Sequence, residues 1–158
     1  MQRYQIIDNQ TKTNIEAWLD RVIGQIRTEL HNQRVNASGQ LSSSLEGVVE
    51  DDSVKILAAP YFLYAEKGRD AGRIPRNFVD IIDRWISDKG LAIPSKYKSQ
   101  KRFASAIAYK IKRYGSLRYR EPDKRVDLLG EVLDKELPEL NRIIENRVVL
   151  YVNDNLFA

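Results

Sequence analysis

Ile15, Trp18, Leu19, Val22, Ile23, Ile26 and Leu30 recur at intervals of three and four residues, the period that places side chains on one face of an α-helix. An apolar stripe of that length must be covered by a second layer, so the chain has to supply packing partners for it. Thr13 with Glu16 has the capping-box pattern, and the spacing predicts a helix over 13–34, broken by the polar, small stretch Asn36-Ala37-Ser38-Gly39-Gln40. The chain has 158 residues, 42% of them hydrophobic, and at this size about two thirds of the unfolded surface is buried on folding. One domain over 1–158 is expected. There are no cysteines, which excludes disulfides, thiolate metal sites and a cysteine nucleophile.

Beyond that helix the pattern changes. Leu41 and Leu45 flank Ser42-Ser43-Ser44 in what reads as one short helical turn. The β-prone runs Leu45 to Glu50 and Val54 to Ala59 predict a hairpin over 45–59, turning at Asp51-Asp52-Ser53, with Val54, Ile56 and Ala58 on one face. Pro60 introduces an aromatic segment, Tyr61 to Arg69, stopped by Gly68, and a loop runs on to Arg76. Phe78, Ile81, Ile82, Trp85 and Ile86 predict a helix over 77–89 with Asn77 as cap, Gly90 as stop and Trp85 in the inward phase. Leu91 to Gln100 is irregular and basic, with little apolar content to pin it. Phe103, Ala104, Ile107, Ala108 and Ile111 predict a helix over 101–114 closed by Gly115, with Lys110, Lys112 and Arg113 on its outer side. A C-terminal helical region is expected over 123–152, kinked or restarted at Pro138. The expected class is α+β: a long N-terminal amphipathic helix, a small antiparallel sheet and several packed C-terminal helices.

Little in this pattern points to catalysis. His31 is the only histidine and has no serine or acid at useful spacing, whereas general bases sit beside their partners in clefts. Ser38, Ser42, Ser43 and Ser44 lack a nucleophile elbow and suit capping and turns. Asp80 suits the first turn of its helix. Metal binding by it, Asp83 and Asp88 requires a convergence that spacing does not supply. Gly68-Arg69-Asp70-Ala71-Gly72 lacks the lysine and hydroxyl of a phosphate loop. No catalytic, cofactor-binding or metal-ligating residue is therefore expected, and a hydrolase is the least supported class. No apolar run approaches the roughly 18 residues of a membrane span, and Met1-Gln2-Arg3-Tyr4 does not read as a signal peptide. A reducing, cytosol-like compartment and no membrane partner are expected.

Charge is the more informative signal. The net charge is +4, yet Lys89 to Arg125 contains 12 cations against only Glu121 and Asp123, so that segment carries +10 and the remainder −6. Such segregation suits either an acidic protein neighbour or nucleic acid, or a solvated face with no partner. Tyr97, Phe103, Tyr109, Tyr114 and Tyr119 alternate with these cations and are able to stack on bases or simply pack. Helical phasing turns Phe103 and Ile107 inward. The two helices that flank the basic loop stand roughly ten residues apart, whereas a helix-turn-helix needs a turn of about 3–4. A weak, sequence-independent attraction to a polyanion is the DNA-binding alternative, using the 89–125 face.

The order of the motifs adds a family resemblance. Ser38-Gly39-Gln40-Leu41-Ser42-Ser43-Ser44 resembles the Thr-Gly-x-Leu-x-x-Ser start of the sheet region in tail-completion, or head–tail joining (neck), proteins of tailed bacteriophages. Pro60 to Arg69 is similar to that family's Tyr-x-x-Tyr-x-Glu-x-Gly element. Gly72-Arg73-Ile74-Pro75, the Trp85-Ile86 helix, the Phe103 to Lys112 helix with Tyr114-Gly115, and Leu137-Pro138-Glu139-Leu140 follow in the family's order, covering roughly residues 13 to 150. The chain departs from it at Val35-Asn36-Ala37, where the family often has a proline, and at Arg120-Glu121-Pro122, where it often has a Pro-Phe pair. The resemblance makes Ser38, Gly39, Leu41, Ser44, Tyr61, Tyr64, Glu66, Gly68 and Pro75 the motif residues. It implies a virion protein without cofactor or catalysis, a six- or twelve-fold ring of this chain in the neck. That ring would be assembled in the bacterial host cytoplasm, join portal or adaptor to tail, and surround the DNA channel. Lys96, Lys98, Lys101, Arg102, Lys110, Lys112 and Arg113 are then the candidate contacts to partner subunits or channel DNA. The Tyr61 to Gly68 element is expected either to plug the core beneath the sheet or to lie between subunits.

Overall fold

The structure is a computed structural model describing residues 7–35, 37–50 and 53–156, with side chains through Leu150. The expected turn residues Asp51 and Asp52, Asn36 in the break after the first helix, and the start at Met1 to Tyr4 lie outside the described residues. The fold is α+β: seven α-helices, one 3-10 turn and one two-stranded antiparallel sheet among the described residues. The chain divides into two compact units, one of Met1–Leu30, Ser44–Ala58 and Leu128–Ala158, the other of His31–Ser43 and Ala59–Asp127.

In the first unit, α1 (Asn9–Asn32) buries the whole expected stripe from Ile15 to Leu30. It begins earlier than Thr13 because Asp8 caps it, its Oδ1 accepting from the Thr11 amide at 2.7 Å, which leaves Thr13 inside the helix, bonded back to the Asn9 carbonyl. The strands β1 (Glu46–Val49) and β2 (Val54–Leu57) pair with Gly47 opposite Ile56 and Val49 opposite Val54. A Cβ on Gly47 would stand 2.5 Å from the Leu19 side chain, so glycine is what lets the strand lie directly on α1. Val54 and Ile56 are half-buried, while Ala58 lies past the strand and is exposed.

The last helix, α7 (Gly130–Leu156), starts later than expected and runs unbroken through Pro138. Proline removes one helix hydrogen bond and crowds the preceding turn. Pro138 is on the exposed side, where a freed carbonyl can turn to water. Glu136 fastens α7 to α1. Its backbone carbonyl accepts from Trp18 Nε1 at 2.9 Å, and its carboxylate accepts from Arg21 Nε at 3.0 Å and Gln25 Nε2 at 2.6 Å. Those donors hold the Glu136 carboxyl below its ordinary range, Gln25 first and Arg21 next.

In the second unit, the short turn is observed as α2 (Gln40–Ser43), followed by α3 (Phe62–Lys67), α4 (Phe78–Lys89), α5 (Gln100–Tyr114) and α6 (Leu117–Arg120). The core is Phe78, Ile82 and Ile86 of α4 against Ala104 and Ala108 of α5. The two alanines let the helices approach closely, and Phe103, Ile107 and Ile111 pack against the same core, partly buried. Trp85 is not inward: it is 39% exposed, beside Ile81 at 42%. The covered stripe is 78, 82 and 86, and at 100° per residue Trp85 falls about 60° from its centre, beyond the reach of two alanines. Asn77 precedes α4 without a side-chain cap. Gly90 ends the helix in the left-handed region at φ 61°, its N–H bonded to the Ile86 and Ser87 carbonyls, as a glycine C-terminal stop requires.

Candidate functional site

The basic surface rests on α5, a helix with five cations and no acid. Ala104 and Ala108 face inward, so the helical period turns Arg102, Tyr109 and Arg113 outward, with Lys101 and Lys112 at the edge of that face. These residues and Lys110 are exposed. Tyr109 is 57% exposed, and its hydroxyl accepts from Arg113 Nη1 at 2.9 Å. The Arg113 guanidinium also lies 5.3 Å from the centre of the Tyr114 ring. Lys101 pairs with Asp80 at 3.3 Å between exposed side chains, an arrangement worth about 0–1 kcal/mol. In the connection before α5, Lys96 and Lys98 are exposed. That stretch is better anchored than its composition suggests. Tyr97 is half-buried and packs on Phe103 at a 4.9 Å ring separation, and the Ser99 hydroxyl accepts from the Arg102 amide to cap α5.

The motif residues serve a different purpose. Gly39, at φ 84°, opens α2, its carbonyl accepts from the Ser43 amide at 3.0 Å, and Leu41 is buried. Ser38 is exposed, and its hydroxyl receives the Gln40 amide at 3.5 Å, a weak contact. Ser44 is half-buried. In α3, Phe62 and Glu66 are buried, but Tyr61, Leu63 and Tyr64 are exposed. This helix belongs to the second unit and the hairpin to the first. Pro75 is exposed, and its carbonyl accepts from the Phe78 amide at the start of α4.

Immediately after α3 the chain interlocks with the segment that trails α5. Gly68, at φ 79°, delivers Arg69 to Ser116: the Arg69 amide donates to Ser116 Oγ at 2.9 Å, and the Ser116 amide donates to the Arg69 carbonyl at 2.8 Å. The Gly72 amide donates to the Lys112 carbonyl and the Val126 amide to the Glu66 carbonyl. The Arg69 guanidinium lies 4.9 Å from the centre of the Tyr64 ring and 5.3 Å from that of Phe78, holding α3 to α4. Arg118 donates to the Ala65 carbonyl, and its burial lowers its pKa. Lys89 donates to the carbonyl of Arg34, a non-glycine residue at φ 51°. Burial lowers the Lys89 pKa, and the nearby Arg118 and Arg34 charges lower it further. Sequence reading missed Arg69, Ser116 and Arg118 because each acts across more than 40 residues of chain. The only local signal was Gly115-Ser116, a helix stop followed by a cap.

His31 is exposed near the end of α1. Among the described residues no group of three acidic or histidine side chains is placed to hold a metal, and no helix is long and apolar enough to cross a membrane. The first unit has an open cleft of about 440 Å³ bordered by α1 and α7. Its arginines are already paired, Arg147 with Asp8, Arg142 with Glu139 and Arg21 with Glu136. Comparison with protein-family profiles, curated proteins and solved structures gives no match.

Proposed function

We propose that this chain is a non-catalytic structural subunit of a tailed-bacteriophage virion. Its copies form a ring in the neck or tail-completion region, join portal or adaptor to tail and surround the DNA channel. The observation that carries this reading is the concentration of surplus positive charge on the outer face of α5, with acidic surplus elsewhere in the chain. Segregated charge of this kind favours head-to-tail contacts, the type that close into rings, and rim cations also attract DNA passing through the channel. The ordered motif resemblance supplies the family. The interlock of α3 with the segment after α5 supports it too, since a ring subunit needs a rigid body to transmit its contacts. Mass spectrometry of purified particles should find the chain at a fixed stoichiometry to the portal protein. Intact, DNA-filled particles lacking it would refute the role.

A second reading is favoured by the exposed Tyr109 and Tyr114 among uncompensated cations: a small nonspecific DNA-binding protein using the 89–125 face. A salt titration of duplex binding separates the two, because phosphate neutralisation by several cations gives a steep slope of affinity against salt.

A further inference from the structure

We infer that the outer face of α7 is the mating surface for the α5 face of a second copy of this chain, a proposal that rests on the ring reading above and specifies its contact. On α7, Leu137, Ile144 and Val148 are each 40% exposed or more. Their spacing of seven and four residues aligns them in one stripe, flanked by the partly buried Leu133 and Leu140. By the helical period the stripe lies about a quarter turn round the helix from the Glu136 clamp. An exposed apolar row of this kind marks an interaction site.

The charge beside the stripe identifies the occupant. Glu131, Asp134 and Glu145 are exposed; by the helical period Asp134 and Glu145 lie on the flank beside the stripe, about 60–80° from its centre, with Glu131 further round the same side. They form none of the ion pairs found among the described residues. A partner for this face must therefore offer an apolar or aromatic centre set among cations. The α5 face has that composition, with Tyr109 among Lys112, Arg102 and Arg113. The two surfaces are different patches of the same molecule, so their contact is heterologous. Repeated from copy to copy, it builds a ring or an open filament, not a two-fold dimer. Tyrosine is a fitting centre because it is enriched at interface cores, where its ring is buried and its hydroxyl stays paired.

The absence of cysteine from the chain makes the test clean. One preparation of the full chain carries Val148→Cys and a second carries Tyr109→Cys, and the two are mixed with a short bismaleimide. The mixture should give crosslinked dimers at several times the yield of either preparation alone, and of a control mixture with Asp20→Cys on α1 in place of Val148→Cys. Adding Glu131→Lys, Asp134→Lys and Glu145→Lys to the Val148→Cys chain should return the yield to the control level. Adding Lys110→Glu, Lys112→Glu and Arg113→Glu to its partner should then restore it, which a merely structural role of either patch would not do. Strong crosslinking by Val148→Cys alone would mean that α7 pairs with itself, and overturns the proposal. Control-level yield in the mixture overturns it as well, including the case in which the Tyr109→Cys chain binds duplex DNA with a steep salt dependence instead. Repeating the reaction in particles separates this contact from the neck role. A chain present in particles without the α5–α7 crosslink sinks the contact alone, and a crosslinking chain missing from particles sinks the role alone.

Discussion

Gly68→Ala tests the interlock at its tightest point. Gly68 has φ 79° and ψ 172°, a region occupied almost only by glycine, and placing another residue there costs about 1–3 kcal/mol. A Cβ would also lie 2.3 Å from the Tyr119 backbone nitrogen, 2.6 Å from Ser116 Oγ and 2.9 Å from the Arg118 carbonyl carbon. Two of those atoms are backbone and cannot rotate away, so the segment after α5 must shift, adding about 1–3 kcal/mol of overpacking. The expected loss is roughly 2–6 kcal/mol. Gly90→Ala is the control. That residue is also left-handed, at φ 61°, but nothing lies within 4 Å of its Cβ position, so only a strain of about 1–2 kcal/mol applies. Urea unfolding followed by circular dichroism gives both values. In a chain of this size each kcal/mol also moves the thermal midpoint by about 2–4 °C. Equal losses at the two positions would show that the backbones do not approach closely at Gly68, and would refute the account of the interlock.

Trp18→Ala should destabilise by about 3–5 kcal/mol, because the ring is buried and hydrogen-bonded to the Glu136 carbonyl. Trp85→Ala should cost only about 1 kcal/mol by partial burial, and thermal melts of the pair that coincide would contradict the burial difference. Glu136 carries a lowered folded-state pKa, so its contribution is present above its unfolded pKa of about 4.3 and is lost as pH falls through the folded value. Glu136→Gln should therefore flatten stability against pH below about pH 4.5, and an unchanged acid limb would show the clamp to be inert. Reversing Lys110, Lys112 and Arg113 together to Glu should leave the monomer folded, since all three are exposed, yet impair incorporation into particles. If the variant assembles normally and loses DNA affinity with a shallower salt slope, α5 is a nucleic-acid surface. Removing the lone imidazole by His31→Ala should leave particle yield unchanged, and a specific loss without unfolding would revive a catalytic reading.

The sequence by itself determined the local features. The α1 stripe, the inward face of α5, the stops at Gly90 and Gly115 and the charge segregation could all be read from the chain, because each arises from helical period, glycine's backbone freedom or counted charge. The resemblance singled out Gly68 and Glu66 without a physical reason for either. Tertiary structure alone decided which flank of each stripe is covered. Ile82 is buried and Trp85 exposed because the alanines of α5 reach only one side of α4. It also decided that α7 continues through Pro138, that Asp8 and not Thr13 caps α1, and that Glu136, Arg69 and Ser116 are clamps. Periodicity shows that a residue lies on an apolar face, but burial and hydrogen bonding belong to pairs of surfaces. The partners of Glu136 and Ser116 stand 111 and 47 residues away in sequence, a separation that no local pattern encodes.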